Sequence, residues 1–279
     1  MASRLPSLLE QYLALPPEAA LIVVTGVVGA STNWLVLRYL CSFLGGSPAG
    51  GGDDDDGDGD DTAVLLVSFM RDYSFWRDGA GRLGVDLEAL SRKRRFGFLD
   101  GLTCLFTGDG GGSVPVPVSQ QHPKPLTWSG GSSSITASII DALEALQQNK
   151  TKKKPILIVD QPDLLLAATA TTATDVRDML LDVRERAPGI SCVQTFTTIG
   201  QGQQQGTGLE RAHAALTLGV AHEADILLSL RLLDTGAAGD VGGVLRITRG
   251  GGGGLDVEEH EYLYRIGGDG GVRVFERGQ

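Results

Sequence analysis

Residues 26–33 read Gly-Val-Val-Gly-Ala-Ser-Thr-Asn and follow the apolar run Ala-Leu-Ile-Val-Val-Thr of residues 20–25. A loop at this place, between a buried strand and a helix, is where ATPases hold phosphate. That chemistry needs Gly-x-x-x-x-Gly-Lys-Ser/Thr, so that backbone N–H groups, a lysine and a hydroxyl surround the phosphates and magnesium. Gly26 fits, but Ser31, Thr32 and Asn33 stand where the second glycine, the lysine and the magnesium hydroxyl belong. Threonine brings no charge to the β- and γ-phosphates, so hydrolysis is not expected at this loop. Farther on, Ile-Leu-Ile-Val-Asp at 156–160 looks like the apolar strand whose terminal carboxylate holds magnesium, with Asp160 in the carboxylate place. Gly26, Ser31, Thr32 and Asp160 are the candidates for a degenerate nucleotide site. The plain alternative makes Gly26 and Gly29 a tight turn and Asp160 a turn or cap residue.

Two basic runs offer a second chemistry. Arg92, Lys93, Arg94 and Arg95 precede Phe-Gly-Phe-Leu-Asp, and Lys150, Lys152, Lys153 and Lys154 precede Ile-Leu-Ile-Val-Asp. If both apolar stretches are strands of one parallel sheet, the runs share an edge and can contact RNA phosphates; solvated helix ends are the ordinary alternative. His122, His213, His222 and His260 have no metal-ligand spacing, and His213 and His260 read as helix-face and strand residues. Cys41, Cys104 and Cys192 are scattered, as expected of buried, reduced thiols in a cytosolic or nuclear protein.

The elements that must position these residues follow from periodicity. The chain has 279 residues, 40 glycines and a net charge of −10, and seven aspartates fall between 53 and 61. Outside that run the body is near neutral, so net charge excludes no partner. Residues 45–62 cannot bury enough apolar surface to offset their ordering entropy and read as a disordered acidic, glycine-rich insertion. Apolar runs at 20–26, 63–69 and 156–159 read as strands buried on both faces. A helix is expected from Ser31 to Leu44, then an amphipathic stretch at 72–83, a turn at Leu-Glu-Ala-Leu and a strand at Phe-Gly-Phe-Leu-Asp. A long flexible loop at 107–134 leads to a helix carrying Ile135, Ile139, Leu143 and Leu146. A further helix, with Thr174 as its cap, carries Val176, Met179, Leu180 and Val183. The last third alternates like antiparallel hairpins, with five glycines as one turn. Residues 19–37 carry no charge and are long enough to span a membrane. Polar residues interrupt the middle, so strand, turn and helix are expected instead, and Pro6 and Glu10 argue against a cleaved leader. The whole is a single α/β domain over 1–279, RecA-like, with a mostly parallel central sheet flanked by helices and C-terminal antiparallel hairpins.

Four stretches add a resemblance: residues 65–90 (LLVSFMRDYSFWRDGAGRLGVDLEAL), 94–106 (RRFGFLDGLTCLF), 157–169 (LIVDQPDLLLAAT) and 231–250 (RLLDTGAAGDVGGVLRITRG). They resemble the sixth subunit of the eukaryotic Elongator complex, a RecA-like family without intact ATPase motifs. The insertion at 53–61, the loop at 107–134 and the glycine runs depart from it. The resemblance implies a non-catalytic subunit of a heterohexameric ring, with two copies each of the fourth, fifth and sixth subunits. Such a ring works with the catalytic Elongator subcomplex, binds tRNA and supports modification of the wobble uridine, U34. It implies no cofactor of this chain's own, with ATP only at ring interfaces, and a cytoplasmic and also nuclear location. The final hairpins and the loop at 200–208 are the expected ring contacts. The RNA-binding candidates are Arg92, Lys93, Arg94, Arg95, Lys152, Lys153 and Lys154. Two other readings compete. One is an enzyme in which Ser31, Thr32 and backbone amides hold an anionic nucleotide or small molecule; the other is a membrane anchor at 19–37.

Overall fold

A computed structural model describes residues 5–45, 62–103, 124–126, 131–148, 154–198, 206–233 and 240–276. The three apolar runs are strands β1 (Leu21–Val27), β2 (Val64–Ser68) and β5 (Ile156–Asp160), buried along almost their whole length. Helices cover both faces of such strands, so no polar alternation survives in them. With β3 (Phe96–Asp100), β4 (Lys124–Pro125), β6 (Cys192–Thr198), β7 (Ile226–Arg231), β8 (Gly243–Arg249), β9 (His260–Ile266) and β10 (Val272–Phe275), they form one sheet. Its order is β10-β9-β8-β7-β1-β6-β5-β2-β3-β4. Strands β7-β1-β6-β5-β2-β3-β4 are parallel, and β7 to β10 form an antiparallel wing. The antiparallel part is thus narrower than the last third of the chain, because β6 still enters the parallel core.

Helices α1 (Glu10–Leu13), α2 (Asn33–Leu44), α3 (Tyr73–Arg82) and α4 (Leu87–Arg92) contribute to one apolar layer. Helices α5 (Gly131–Gln147), α6 (Leu164–Ala168), α7 (Ala173–Arg186) and α8 (Gly208–Glu223) build the other. Several boundaries differ from expectation for local reasons. Helix α2 starts at Asn33 with Thr32, among the residues offered as caps, at its N-cap position, although the Thr32 side chain makes no capping bond. Asp86 accepts from the Ala89 N–H at 2.9 Å and makes α4 a capped helix where only a turn was expected. The cap of α7 is Thr172 rather than Thr174, since Thr172 and Asp175 exchange bonds as a capping box. Helix α5 begins at Gly131 and β4 occupies 124–125, so β4 and the first turn of α5 lie within the stretch 107–134 expected to be loop. Apart from Leu126, the rest of that stretch falls outside the described residues, as does all of 46–61.

The five-glycine stretch is part of a ten-residue connection between β8 and β9. Its glycines lie against the end of α8: a Cβ on Gly250 would sit 2.0 Å from the Ala224 carbonyl oxygen, and one on Gly251 2.1 Å from that of His222. Close approach, rather than turn geometry alone, requires glycine there. Residues 19–37 form β1, a turn and the start of α2. No helix among the described residues is long and apolar enough to cross a membrane.

Candidate functional site

Strand β1 ends at the loop whose residues were expected to face phosphate. The loop folds back on the strand instead. Ala30 N–H donates to the Val27 carbonyl at 2.8 Å, and Gly29 supplies the positive φ of 92° that this turn requires. A Cβ on Gly26 would meet the Ala30 carbonyl oxygen at 2.5 Å and Thr32 Cγ2 at 3.0 Å. Gly26 therefore allows close approach of the loop to its own strand. Ser31 is exposed, and its hydroxyl accepts from the Asn33 N–H at 3.2 Å.

Thr32 is only 3% exposed, and its hydroxyl points inward. Gln161 Nε2 donates to Thr32 Oγ1 at 3.3 Å and to Thr195 Oγ1 at 3.2 Å. The Thr195 hydroxyl donates to Asp160 Oδ1 at 2.9 Å, and Ser68 donates to Asp160 Oδ2 at 2.8 Å. Parallel register makes this meeting possible: Ser68 and Thr195 are the partners of Asp160 on the strands either side of β5. Thr197 Oγ1 donates to the Gln161 side-chain carbonyl, and Thr198 Oγ1 donates to the Gly26 carbonyl at 3.0 Å. Of the four predicted nucleotide-site residues, Thr32 and Asp160 thus meet through hydroxyls and one amide, Gly26 packs against Thr32, and Ser31 stays outside.

Gln161 occupies a left-handed backbone conformation, φ 56°, which a side-chain-bearing residue adopts at a cost, and it precedes Pro162. Its N–H donates to Thr195 at 3.1 Å, which helps hold that conformation. Beside it lies Asp163, 2% exposed, accepting from the Thr197 N–H at 3.1 Å. His213 of α8 places Nδ1 3.5 Å from Asp163 Oδ2, beyond a good hydrogen bond. Burial pushes Asp160 up to about 6 and Asp163 up to about 7, and burial also holds His213 below its ordinary value. Sequence reasoning stopped at Asp160. It missed Gln161, Asp163, Thr195 and Thr197; His213 does lie on a helix, as expected, but its buried face meets Asp163. The signal available was Asp-Gln-Pro-Asp, two carboxylates and an amide directly after a buried strand.

These residues do not fit a nucleoside triphosphate with magnesium. No lysine lies in the loop, the threonine in its place is buried on Gln161, and Asp160 is fully buried. The arrangement ties loop, β5 and β6 together. Among the described residues no cluster of His, Cys, Asp and Glu could hold a metal ion.

The basic runs lie at the opposite end of the sheet. Strands β3 and β5 flank β2 in parallel, so Arg92–Arg95 and Lys154 approach from the same end, two strand spacings or about 10 Å apart. Arg92, Lys93 and Arg94 are exposed, and Arg94 closes α4 with a φ of 54°. Arg95 turns inward, donating from Nε to the Thr62 carbonyl at 3.3 Å. Lys154 pairs with Glu18 at 3.1 Å and donates to the Pro188 carbonyl at 3.2 Å. Lys150, Lys152 and Lys153 lie outside the described residues, as does most of the loop at 200–208. That loop joins β6 to α8 at the other end of the sheet.

The fold has counterparts among solved structures. A KaiC-like protein of Pyrococcus horikoshii OT3 is 14% identical, with a TM-score of 0.56 over 99% of this chain and 98% of its own. An uncharacterised Pyrococcus horikoshii protein, solved with an unknown peptide, is 11% identical, with a TM-score of 0.64 over the full length of both chains. No curated protein matches the sequence. The family model described as Elongation complex protein 6 matches residues 60–267, from the strand after the acidic insertion to the last hairpin. This chain, RecA-like in fold and with a buried threonine at the phosphate-loop lysine position, belongs to the family of the sixth Elongator subunit.

Proposed function

We propose that the chain is a non-catalytic member of the Elongator ring. It assembles with the fourth and fifth subunits into a heterohexamer that binds tRNA, in the cytoplasm and also the nucleus. There it supports the wobble-uridine chemistry carried out by the catalytic subcomplex. The observation that carries the non-catalytic reading is Asp160, buried with both oxygens engaged by hydroxyls, beside a loop without lysine. Buried at 0% exposure, that carboxylate has no open side for magnesium, and no lysine meets the phosphates. RNA contact rests on Arg92, Lys93 and Arg94, exposed at one end of the sheet, with Lys154 entering from that same end.

Co-expression with the fourth and fifth subunits, followed by native mass measurement and tRNA titration against salt, tests both parts. The expected mass is that of a hexamer. Arg92→Ser, Lys93→Ser and Arg94→Asn together, with asparagine chosen for the left-handed position, should leave that mass unchanged. They should also flatten the log K against log salt slope by about one unit per lost contact. A chain that stays monomeric rejects the assembly reading. An intact ring with unchanged tRNA affinity and slope rejects this RNA surface.

A further inference from the structure

Strand β10 ends the sheet, and its outer side has no strand partner among the described residues. The hairpin fixes which backbone groups face outward. Gly267 N–H donates to the Gly271 carbonyl at 2.8 Å, and antiparallel bonding alternates from that pair. Arg273 and Phe275 therefore bond β9, and the N–H and C=O groups of Val272 and Val274 point away from it. An open edge of this kind is a template for another strand.

The surroundings set the chemistry of that strand. A cleft of 920 Å³ runs along β10, lined by Pro6, Ser7, Arg265, Asp269 and Arg273 among others. Arg265 and Arg273 are exposed and stand directly opposite each other across the β9–β10 pair. Like charges in that position repel, and neither makes an ion pair among the described residues. Asp269, the carboxylate in the cleft, accepts the Gly271 N–H at 2.9 Å in the turn. On the other face of β10, Val272 joins the apolar core and Val274 packs against it. A strand added here would set alternate side chains beside the two arginines and beside Pro6 and Val274.

We infer that this edge docks an extended segment of a partner protein, with acidic and apolar residues alternating, as an additional strand. Its carboxylates lie beside Arg273, with Arg265 one strand farther in, and offset the positive charge of that pair, while its backbone takes up the groups of Val272 and Val274. The inference does not depend on RNA binding or on the phosphate loop.

Amide hydrogen exchange at Val272 and Val274 tests it, compared between the free chain and the chain assembled with the other Elongator subunits. Protection at least tenfold greater in the assembly is expected. It should be lost with Arg265→Glu and Arg273→Glu together, two exposed changes whose folding is checked by an unchanged melting temperature. Val274→Pro, which removes one outward N–H and is tolerated on an edge strand, should give the same loss at Val272, the one of the two amides that remains to be read. Equal exchange in both states overturns the inference and leaves the arginines as guards of a bare edge. Protection already present in the free chain and rising with its concentration overturns it in favour of a second copy. Protection that survives the double glutamate variant overturns the acidic character of the partner.

Discussion

Asp163 is a carboxylate whose neighbours do little for its charge: one backbone N–H, the uncharged side of His213, and Asp160 nearby. Burial raises both aspartates, so their contribution to stability is fully present below the ordinary carboxylate value near 4. It is lost as pH rises through about 6 for Asp160 and about 7 for Asp163. His213 works in the opposite sense, because its depressed value removes stability as pH falls below 6.5. Asp163→Asn keeps an acceptor for Thr197 and removes the charge. Its melting temperature relative to the unmodified chain should therefore rise between pH 5 and pH 8. A constant difference over that range would show that Asp163 ionises as it does in water. Asp160 was legible in the sequence because a carboxylate ending an apolar run is conspicuous. Its partners were not, since Ser68 and Thr195 lie 92 and 35 residues away and meet it only through strand register.

Helix α2 links the two halves of the architecture. It leaves the phosphate-loop turn, and its Arg38, 1% exposed, reaches the antiparallel wing to donate from NH2 to the Gly270 carbonyl at 3.0 Å. Nε of Arg38 has no hydrogen-bond partner among the described residues, and burial lowers the pKa of the guanidinium. A buried charge with one bond adds little net stability but fixes what it touches. Arg38→Met should therefore leave the melting temperature within a few degrees of the starting value. It should also speed amide exchange at Gly268–Gly271, the turn that sets the register of β10. Unchanged exchange in that turn would show that the hairpin holds itself. The sequence concealed this link because Arg38 lies in a helix whose apolar neighbours Leu35, Leu37 and Leu40 dominate the pattern. Caps were partly legible: Thr172 and Asp175 carry the spacing of a capping box, yet Thr174, closer to the apolar repeat, competed for the role. The parallel strands were the easiest elements to read, since burial on both faces leaves unbroken apolar runs such as Val64–Val67.

At the scale of the molecule, the sheet separates two surfaces. One end carries the strand termini of β1, β5 and β6 with their buried hydroxyl and carboxylate network; the other carries Arg92–Arg94 and Lys154. Composition could place neither, because glycine-rich connections and the acidic run dominate the averages. On the proposed reading, this RecA-like chain, with a buried threonine at the phosphate-loop lysine position, offers its sheet, wing and basic end to neighbours. ATP turnover by a ring reconstituted with the fourth and fifth subunits tests this most directly, comparing the unmodified chain with Asp160→Asn. The substitution keeps the acceptor for Thr195 while removing the charge that magnesium would need. Turnover within about twofold of the unmodified ring, with the hexamer intact by mass, is the predicted result. A loss of tenfold or more in an intact ring would place Asp160 in nucleotide chemistry and contradict the account.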